Sequence, residues 1–284
     1  MKPSLIVTVP LIIEKIIRKR VFPKVQDNRV KLLLSMPVVS KKVKERICQE
    51  VSNAFGGQFY EIIVGGAALS KEVEEFLLGI NFPITVGYGT TECAPLISYC
   101  DHKEFVAGCC GKPVDRMEVK ILSSDPQYIP GEIVTRGTNV MLGYYKNEEA
   151  TRQALDNEGY YHTGDLGTLS SDNHLFIRGR IKNMLLGPNG QNIYPEEIED
   201  KLNSMPMVAE SVVVQREDKL FALVYPDKDE VVSFSKEELK EIMEQNRNNL
   251  NNSLPAYSRI TAIELYDEEF AKTPKKSIKR YLYN

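Results

Sequence analysis

FYEIIVGGAALSKEVEEFLLGINFPITVGYGTTE, residues 59–92, sets the topology of the chain. FYEIIV (59–64) is a short run of aromatic and β-branched residues, which predicts a strand. Gly65-Gly66 breaks it, Ser70 is placed to cap a helix running through Leu78, and PITVGYG starts a second strand at 83. Two short apolar strands joined through a helix imply a parallel pair, because parallel strands need a crossover. Ligands of such sheets gather at the carboxyl ends of the strands. The glycine-bearing turns at 65–68 and 87–92 both follow strand ends, so they belong to the same edge.

Outward from this unit the texture changes twice. Upstream, 40–55 reads as a helix with Ser40 as N-cap and Gly56-Gly57 as its stop. LIIEKIIRKR (11–20) has helical periodicity with a basic face, which suits a solvated domain helix and also a membrane surface. Downstream, candidate strands at 117–122, 131–136 and 174–178 are separated by turn signals, the mark of a mainly antiparallel region from 106 to 178. The last hundred residues alternate again. A helix follows Pro195, strands at 209–215 and 219–225 flank a turn at Arg216-Glu217-Asp218, and a charged helix covers 235–249. This is a small α+β pattern, with no internal repeat.

The 284 residues allow about two domains, and the 42% hydrophobic fraction supplies ordinary cores. A net charge of −3 and a pI near 5.8 give no broad footprint for nucleic acid. No apolar run reaches the ~20 residues a spanning helix needs. The charge of the N-terminal stretch follows its apolar part, the reverse of a secretory signal, so a cytoplasmic location is expected, with membrane association through 11–20 as its variant. Five cysteines (Cys48, Cys93, Cys100, Cys109, Cys110) without a C-x-x-C pair fit reduced thiols. Four of them lie near His102. Paired ligands at short spacing are missing, however, and adjacent Cys109 and Cys110 point to opposite faces of an extended strand, so no zinc site is expected there.

Two motifs carry chemistry. In Gly87-Tyr88-Gly89-Thr90-Thr91-Glu92 the glycines let a ligand approach the backbone, and the threonine hydroxyls can donate to phosphate. Glu92 offers a hard oxygen for magnesium, and Tyr88 offers a face for a base. In Tyr161-His162-Thr163-Gly164-Asp165-Leu166, followed by Gly179-Arg180, an aspartate in a turn can accept from both ribose hydroxyls with an arginine beside it. Singly, each is also an ordinary turn.

As an ordered set they are specific. Gly65-Gly66-Ala67-Ala68, Tyr88 to Glu92, Gly143-Tyr144-Tyr145, Thr163 to Leu166, Gly179-Arg180-Ile181-Lys182-Asn183 and Asn192 to Glu199 together resemble the adenylate-forming (AMP-binding) superfamily. VMLGYYKNEEAT (140–151) and GRIKNMLLGPNGQNIYPEEIE (179–199) look like its long-chain fatty acyl-CoA synthetase branch. The resemblance implies α/β plus α+β architecture. Residues 1–105 would be the C-terminal part of a large parallel-sheet nucleotide domain, 106–180 a β-rich subdomain, and 181–284 a small mobile lid. It implies ATP/AMP, magnesium, a fatty acid and coenzyme A as cofactors and substrates. Gly66 and Ala67 would border the adenine, Tyr88 would stack on it with Gly89 in the same turn, and Thr91 would bind the α-phosphate. Glu92 would hold magnesium, Asp165 and Arg180 the ribose, and Lys182 would be the hinge between two half-reactions: acyl-AMP formation, then transfer to a thiol.

Two departures qualify the match. The family's glycine- and serine/threonine-rich phosphate loop has no counterpart in residues 1–58, so the chain is expected to be an excised fragment, inactive by itself. At the C-terminus, Lys272-Thr273-Pro274-Lys275-Lys276-Ser277 aligns Ser277 with the family's catalytic lysine. Serine cannot carry that positive charge. Lys276, one residue away, is the candidate substitute, and a plain basic tail is the alternative. A carrier protein in place of coenzyme A, or an inactive nucleotide-binding module, are the other readings. Oligomeric state does not follow from these motifs.

Overall fold

The computed structural model of the protein describes residues 3–25, 37–188, 190–232, 234–273 and 278–283. The chain divides into two compact units. The first runs through Thr163 and includes Gly167–Ile177; the second takes Gly164–Leu166 and everything from Arg178 on. Position 106 therefore falls inside the first unit and position 181 inside the second.

The first unit is built on three parallel strands in the order β1 (Leu5–Thr8), β2 (Glu61–Val64), β3 (Ile84–Val86). Val64 is paired with Thr8 on one side and with Val86 on the other. β2 and β3 are the expected pair. β1 adds an edge strand that its short LIVT run, close before Pro10, did not announce. Helices α1 (Pro10–Ile16), α2 (Pro37–Ala54) and α3 (Lys71–Gly79) contribute Ile13, Val51, Val73 and Leu77 to a core shared with Ile62, Val64 and Ile84. Removing these chains from water at about 25 cal/mol per Å2 is what holds the layer together.

Two caps differ from expectation. Ser40 lies inside α2, which starts at Pro37; a proline fits the first turn because the missing N–H has no partner there anyway. Ser70 does precede α3, but its side chain makes no cap hydrogen bond. Its hydroxyl instead accepts from Arg18 at 3.2 Å, and its N–H donates to Glu14 Oε1 at 2.7 Å. The periodic stretch after Ile16 continues as wider turns from Ile17 to Val21, with Ile17 fully buried.

The β-rich part holds a small antiparallel sheet of β4 (Tyr88–Gly89), β5 (Leu96–Tyr99) and β6 (Lys112–Pro113). A four-stranded sheet follows the order β10-β9-β8-β7, from β7 (Met117–Leu122), β8 (Gly131–Gly137), β9 (Tyr161–Leu169) and β10 (Leu175–Arg180). A short helix, α4 (Glu148–Ala154), precedes β9. Thr163-Gly164-Asp165, read above as a turn, lies within β9. Gly164 has φ +69°, and this local kink in an otherwise extended strand is what the sequence displayed as a turn signal.

The second unit opens with a two-stranded ribbon, β11 (Leu185–Leu186) and β12 (Asn192–Ile193), leading into α5 (Pro195–Leu202). Its sheet pairs β13 (Val208–Arg216) antiparallel with β14 (Lys219–Pro226), and β14 parallel with β15 (Ile260–Leu265) after the crossover helix α6 (Lys236–Asn252). Val213 packs against α5 and α6 residues such as Ile198, Leu202, Met243 and Leu250. Its neighbours Val212 and Val214 face the other way, against Tyr225 and Phe270. A sheet covered on both faces explains the uninterrupted Val212-Val213-Val214 run.

Candidate functional site

In the first unit the two glycine turns adjoin. Gly65 donates its N–H to Thr8 and Gly87 donates to Val64, and a Cβ on Gly65 would sit 3.5 Å from the Gly87 carbonyl oxygen. Gly66, with φ +86°, and Ala67 are exposed at the carboxyl end of β2. Thr91, exposed, opens a single helical turn from Thr91 to Cys93. Gly89 is demanded by the turn itself, since a Cβ there would come within 1.9 Å of the Pro95 carbonyl oxygen. Tyr88 is buried among Cys93, Ile97, Ile121, Ile133 and Tyr161, so its ring is part of this unit's core.

Glu92 is the one acidic group on this turn, and the structure gives it a partner from far along the chain. The Tyr144 hydroxyl donates to Glu92 Oε1 at 2.9 Å, and Met141 N–H donates to the Glu92 carbonyl at 2.7 Å. Tyr144 is itself fixed, because its N–H donates to the Thr151 hydroxyl at 2.9 Å. Thr151 lies on α4, whose first turn is capped by the Asn147 side chain accepting from Ala150 N–H. Burial and the adjacent Glu92 raise the Tyr144 hydroxyl above its ordinary pKa, keeping it a donor. Burial raises Tyr161 too, again with Glu92 contributing. Asn139 ties the turn down by donating to the carbonyls of Cys93 at 2.7 Å and Leu96 at 3.0 Å. Sequence reading quoted Gly143-Tyr144-Tyr145 without giving it a role; the spacing inside GYYKNEEAT, from Tyr144 to Asn147 to Thr151, was the available signal.

In the second unit Asp165 is 4% exposed, and its Oδ1 accepts from Arg180 Nε at 3.0 Å. A Cβ added to the neighbouring Gly164 would meet nothing within 4 Å, so the kink leaves open space beside Gly164 itself. Lys182 is exposed on the helical turn Ile181–Asn183. The turn is fastened by Asn183, which donates to Glu196 Oε1 at 2.6 Å; Glu196, from YPEE, was likewise unassigned in the sequence. Lys276, with Lys275 and Ser277, lies outside the described residues. The flanks of that segment are held: Lys272 pairs with Glu210 at 2.6 Å, Lys272 bridges Ile278, and Arg280 forms an ion pair with buried Glu199.

His102 does not meet the cysteines. It joins Glu61 and Asp101, whose carboxylates also accept from Tyr99 and Tyr60 respectively.

The AMP-binding enzyme family model matches residues 1–145, and that of the AMP-binding enzyme C-terminal domain matches 183–283. The chain is similar to 4-coumarate-CoA ligase 1 of Narcissus pseudonarcissus, 34% identical over 195 residues that make up 64% of this chain and 36% of the relative. It is 32% identical to Long-chain-fatty-acid–CoA ligase 1 of Saccharomyces cerevisiae over 215 residues, 72% of this chain and 30% of the relative. Among solved structures, O-succinylbenzoate Coenzyme A Synthetase (MenE) of Bacillus subtilis in complex with ATP and magnesium ion superposes with a TM-score of 0.71 at 23% identity, over 98% of this chain and 50% of that one. The chain thus spans about a third of the curated relatives and half of the solved one. With one model matching the part that bears Glu92 and Tyr144, and the other the part that bears Asn183 and Glu196, the chain belongs to the AMP-binding enzyme family.

Proposed function

We propose that this chain is the C-terminal part of an ATP-dependent acid–thiol ligase that activates a long-chain fatty acid as acyl-AMP and passes the acyl group to coenzyme A. The observation that carries the reading is buried Asp165, whose Oδ1 is held by Arg180. A desolvated carboxylate with one oxygen oriented is a strong acceptor for a sugar diol. Gly66, Ala67 and the Tyr88–Gly89 turn then border adenine, and Thr91 donates to the α-phosphate. Glu92 suits magnesium: a hard oxygen ligand oriented by Tyr144, of the kind that holds this ion with one or two carboxylates plus phosphates. The bound ion would neutralise phosphate charge there.

A carboxylate is a poor acyl donor because oxide is a poor leaving group; AMP is a good one. Lys182 would serve as the hinge between the two half-reactions, and Lys276 would bring positive charge to the first. Fatty acid is favoured over an aromatic acid by the resemblance of VMLGYYKNEEAT and GRIKNMLLGPNGQNIYPEEIE to the long-chain branch. The Ser277 position favours one other reading, a nucleotide-binding module without catalysis.

The test is acid-dependent pyrophosphate release with fatty acids of graded length and 4-coumarate, on this chain and on the protein extended upstream. Release by the extended protein with long acids alone supports the proposal. Release with coumarate alone replaces the substrate, and silence with retained AMP binding replaces ligation by the nucleotide-binding reading.

A further inference from the structure

The first unit brings together three metal-ligating side chains that the sequence keeps far apart. The sulfurs of Cys100 and Cys109 and a ring nitrogen of His174 all lie within 4.8 Å of one another. Their residues are 5%, 1% and 4% exposed. Cys100 follows β5, Cys109 lies in the loop before β6, and His174 immediately precedes β10. The backbone fixes this meeting: Cys110 N–H donates to Leu175 at 2.7 Å, and Leu175 N–H donates to Gly111 at 2.8 Å. The Thr85 hydroxyl donates to the Cys100 carbonyl at 2.7 Å.

We propose that Cys100, Cys109 and His174 form a zinc site. Two soft thiolates and an imidazole are a donor set suited to zinc. Tetrahedral zinc would place the sulfurs about 3.8 Å apart and each about 3.5 Å from the nitrogen, so the side chains need to close by roughly 1.3 Å at most. Both His174 ring nitrogens already have acceptors, Nδ1 with Asp172 at 2.8 Å and Nε2 with the Glu104 carbonyl at 3.1 Å. Zinc on one nitrogen replaces that nitrogen's hydrogen bond, and the other nitrogen keeps the partner that fixes the ring, the outer-shell arrangement of metal-bound histidines. Asp172 is itself oriented by the Ser170 hydroxyl at 2.7 Å. Gly111 N–H points at Cys109 Sγ at 3.4 Å, a donor that favours thiolate. Binding releases the two thiol protons to solvent, and water fills the fourth position. Cys110 packs against the core that holds Cys100 and Cys109 as well as against that of Tyr88 and Ile97, but its sulfur is not among the ligand atoms that converge.

The experiment is titration of the reduced chain with cobalt(II) and zinc(II), followed by metal analysis and absorption spectroscopy. The expected result is one equivalent per chain, with thiolate-to-cobalt charge-transfer bands that zinc abolishes. Cys100→Ser, Cys109→Ser and His174→Gln should each weaken binding by more than about 10-fold. Cys110→Ser and Cys48→Ser should leave it unchanged. Zinc should also raise the thermal midpoint of the unaltered chain and a chelator lower it, a readout that does not require any variant to fold. No uptake by the reduced chain, cobalt spectra without thiolate bands, or equal binding after Cys100→Ser and Cys109→Ser would each overturn the proposal.

Discussion

The Tyr144 hydroxyl has one proton to donate, and the structure directs it to Glu92. A hydrogen bond to a charged group contributes roughly 1.5–3 kcal/mol, so Tyr144→Phe in the upstream-extended protein should slow pyrophosphate release about 10-fold or more. The ring still fills its place, so the thermal midpoint should fall only by the few degrees that one hydrogen bond is worth. An unchanged rate would remove Tyr144 as a positioning residue. Glu74 makes a different residue-scale case. It is 5% exposed and accepts from Gly108 N–H at 2.9 Å, and burial raises its pKa from 4.5 to about 7. Because the folded value lies above the unfolded one, its contribution is full below pH 4.5 and is lost as pH rises through about 7. The limit is on the order of 3 kcal/mol, and Glu74→Gln should flatten the stability curve across that window in denaturant titrations. Neither contact was legible in sequence. Tyr144 and Glu92 stand 52 residues apart, and only the fold can pair residues at that separation.

At the scale of elements, legibility followed local physics. β2, α3 and β3 were readable because strand period, glycine stop and helix pattern agree within one short stretch. β13 and β14 of the second unit were readable because Val212 to Val214 and the run from Leu220 to Val224 are apolar on both faces, whereas β15 was not read. β9 was hidden, since Gly164-Asp165 is a turn signal placed inside a strand. His174 was passed over for His102 because nearness in sequence stood in for nearness in space. Helix α6 shows a local signal that the structure keeps. Ser235 accepts from Glu238 N–H at 3.2 Å, and the Glu238 carboxylate accepts from Ser235 N–H at 2.8 Å, a reciprocal cap on the expected charged helix. Ser235→Ala should cost about 1 kcal/mol in urea unfolding, and Ser235→Asp should recover most of it.

At the scale of the whole molecule, the first unit carries an apolar stripe. Leu5, Val7, Val9, Leu11 and Ile12 are 47–72% exposed along edge strand β1 and the start of α1. An apolar edge strand is a template for pairing with another chain. The isolated chain should therefore bind a hydrophobic dye such as ANS and elute with a size that grows with concentration. Val7→Lys together with Leu5→Lys should suppress both effects in dye titration and light scattering without changing the circular dichroism spectrum. Dye binding that survives those substitutions would place the sticky surface elsewhere. In a living cell an uncovered stripe of this kind would be open to chaperones and proteases, and the fate of the chain would depend on whether it is covered before they arrive. The half-life of the chain would then track occupancy of that face, and a version solid enough to pass every unfolding test could still be cleared within minutes of synthesis.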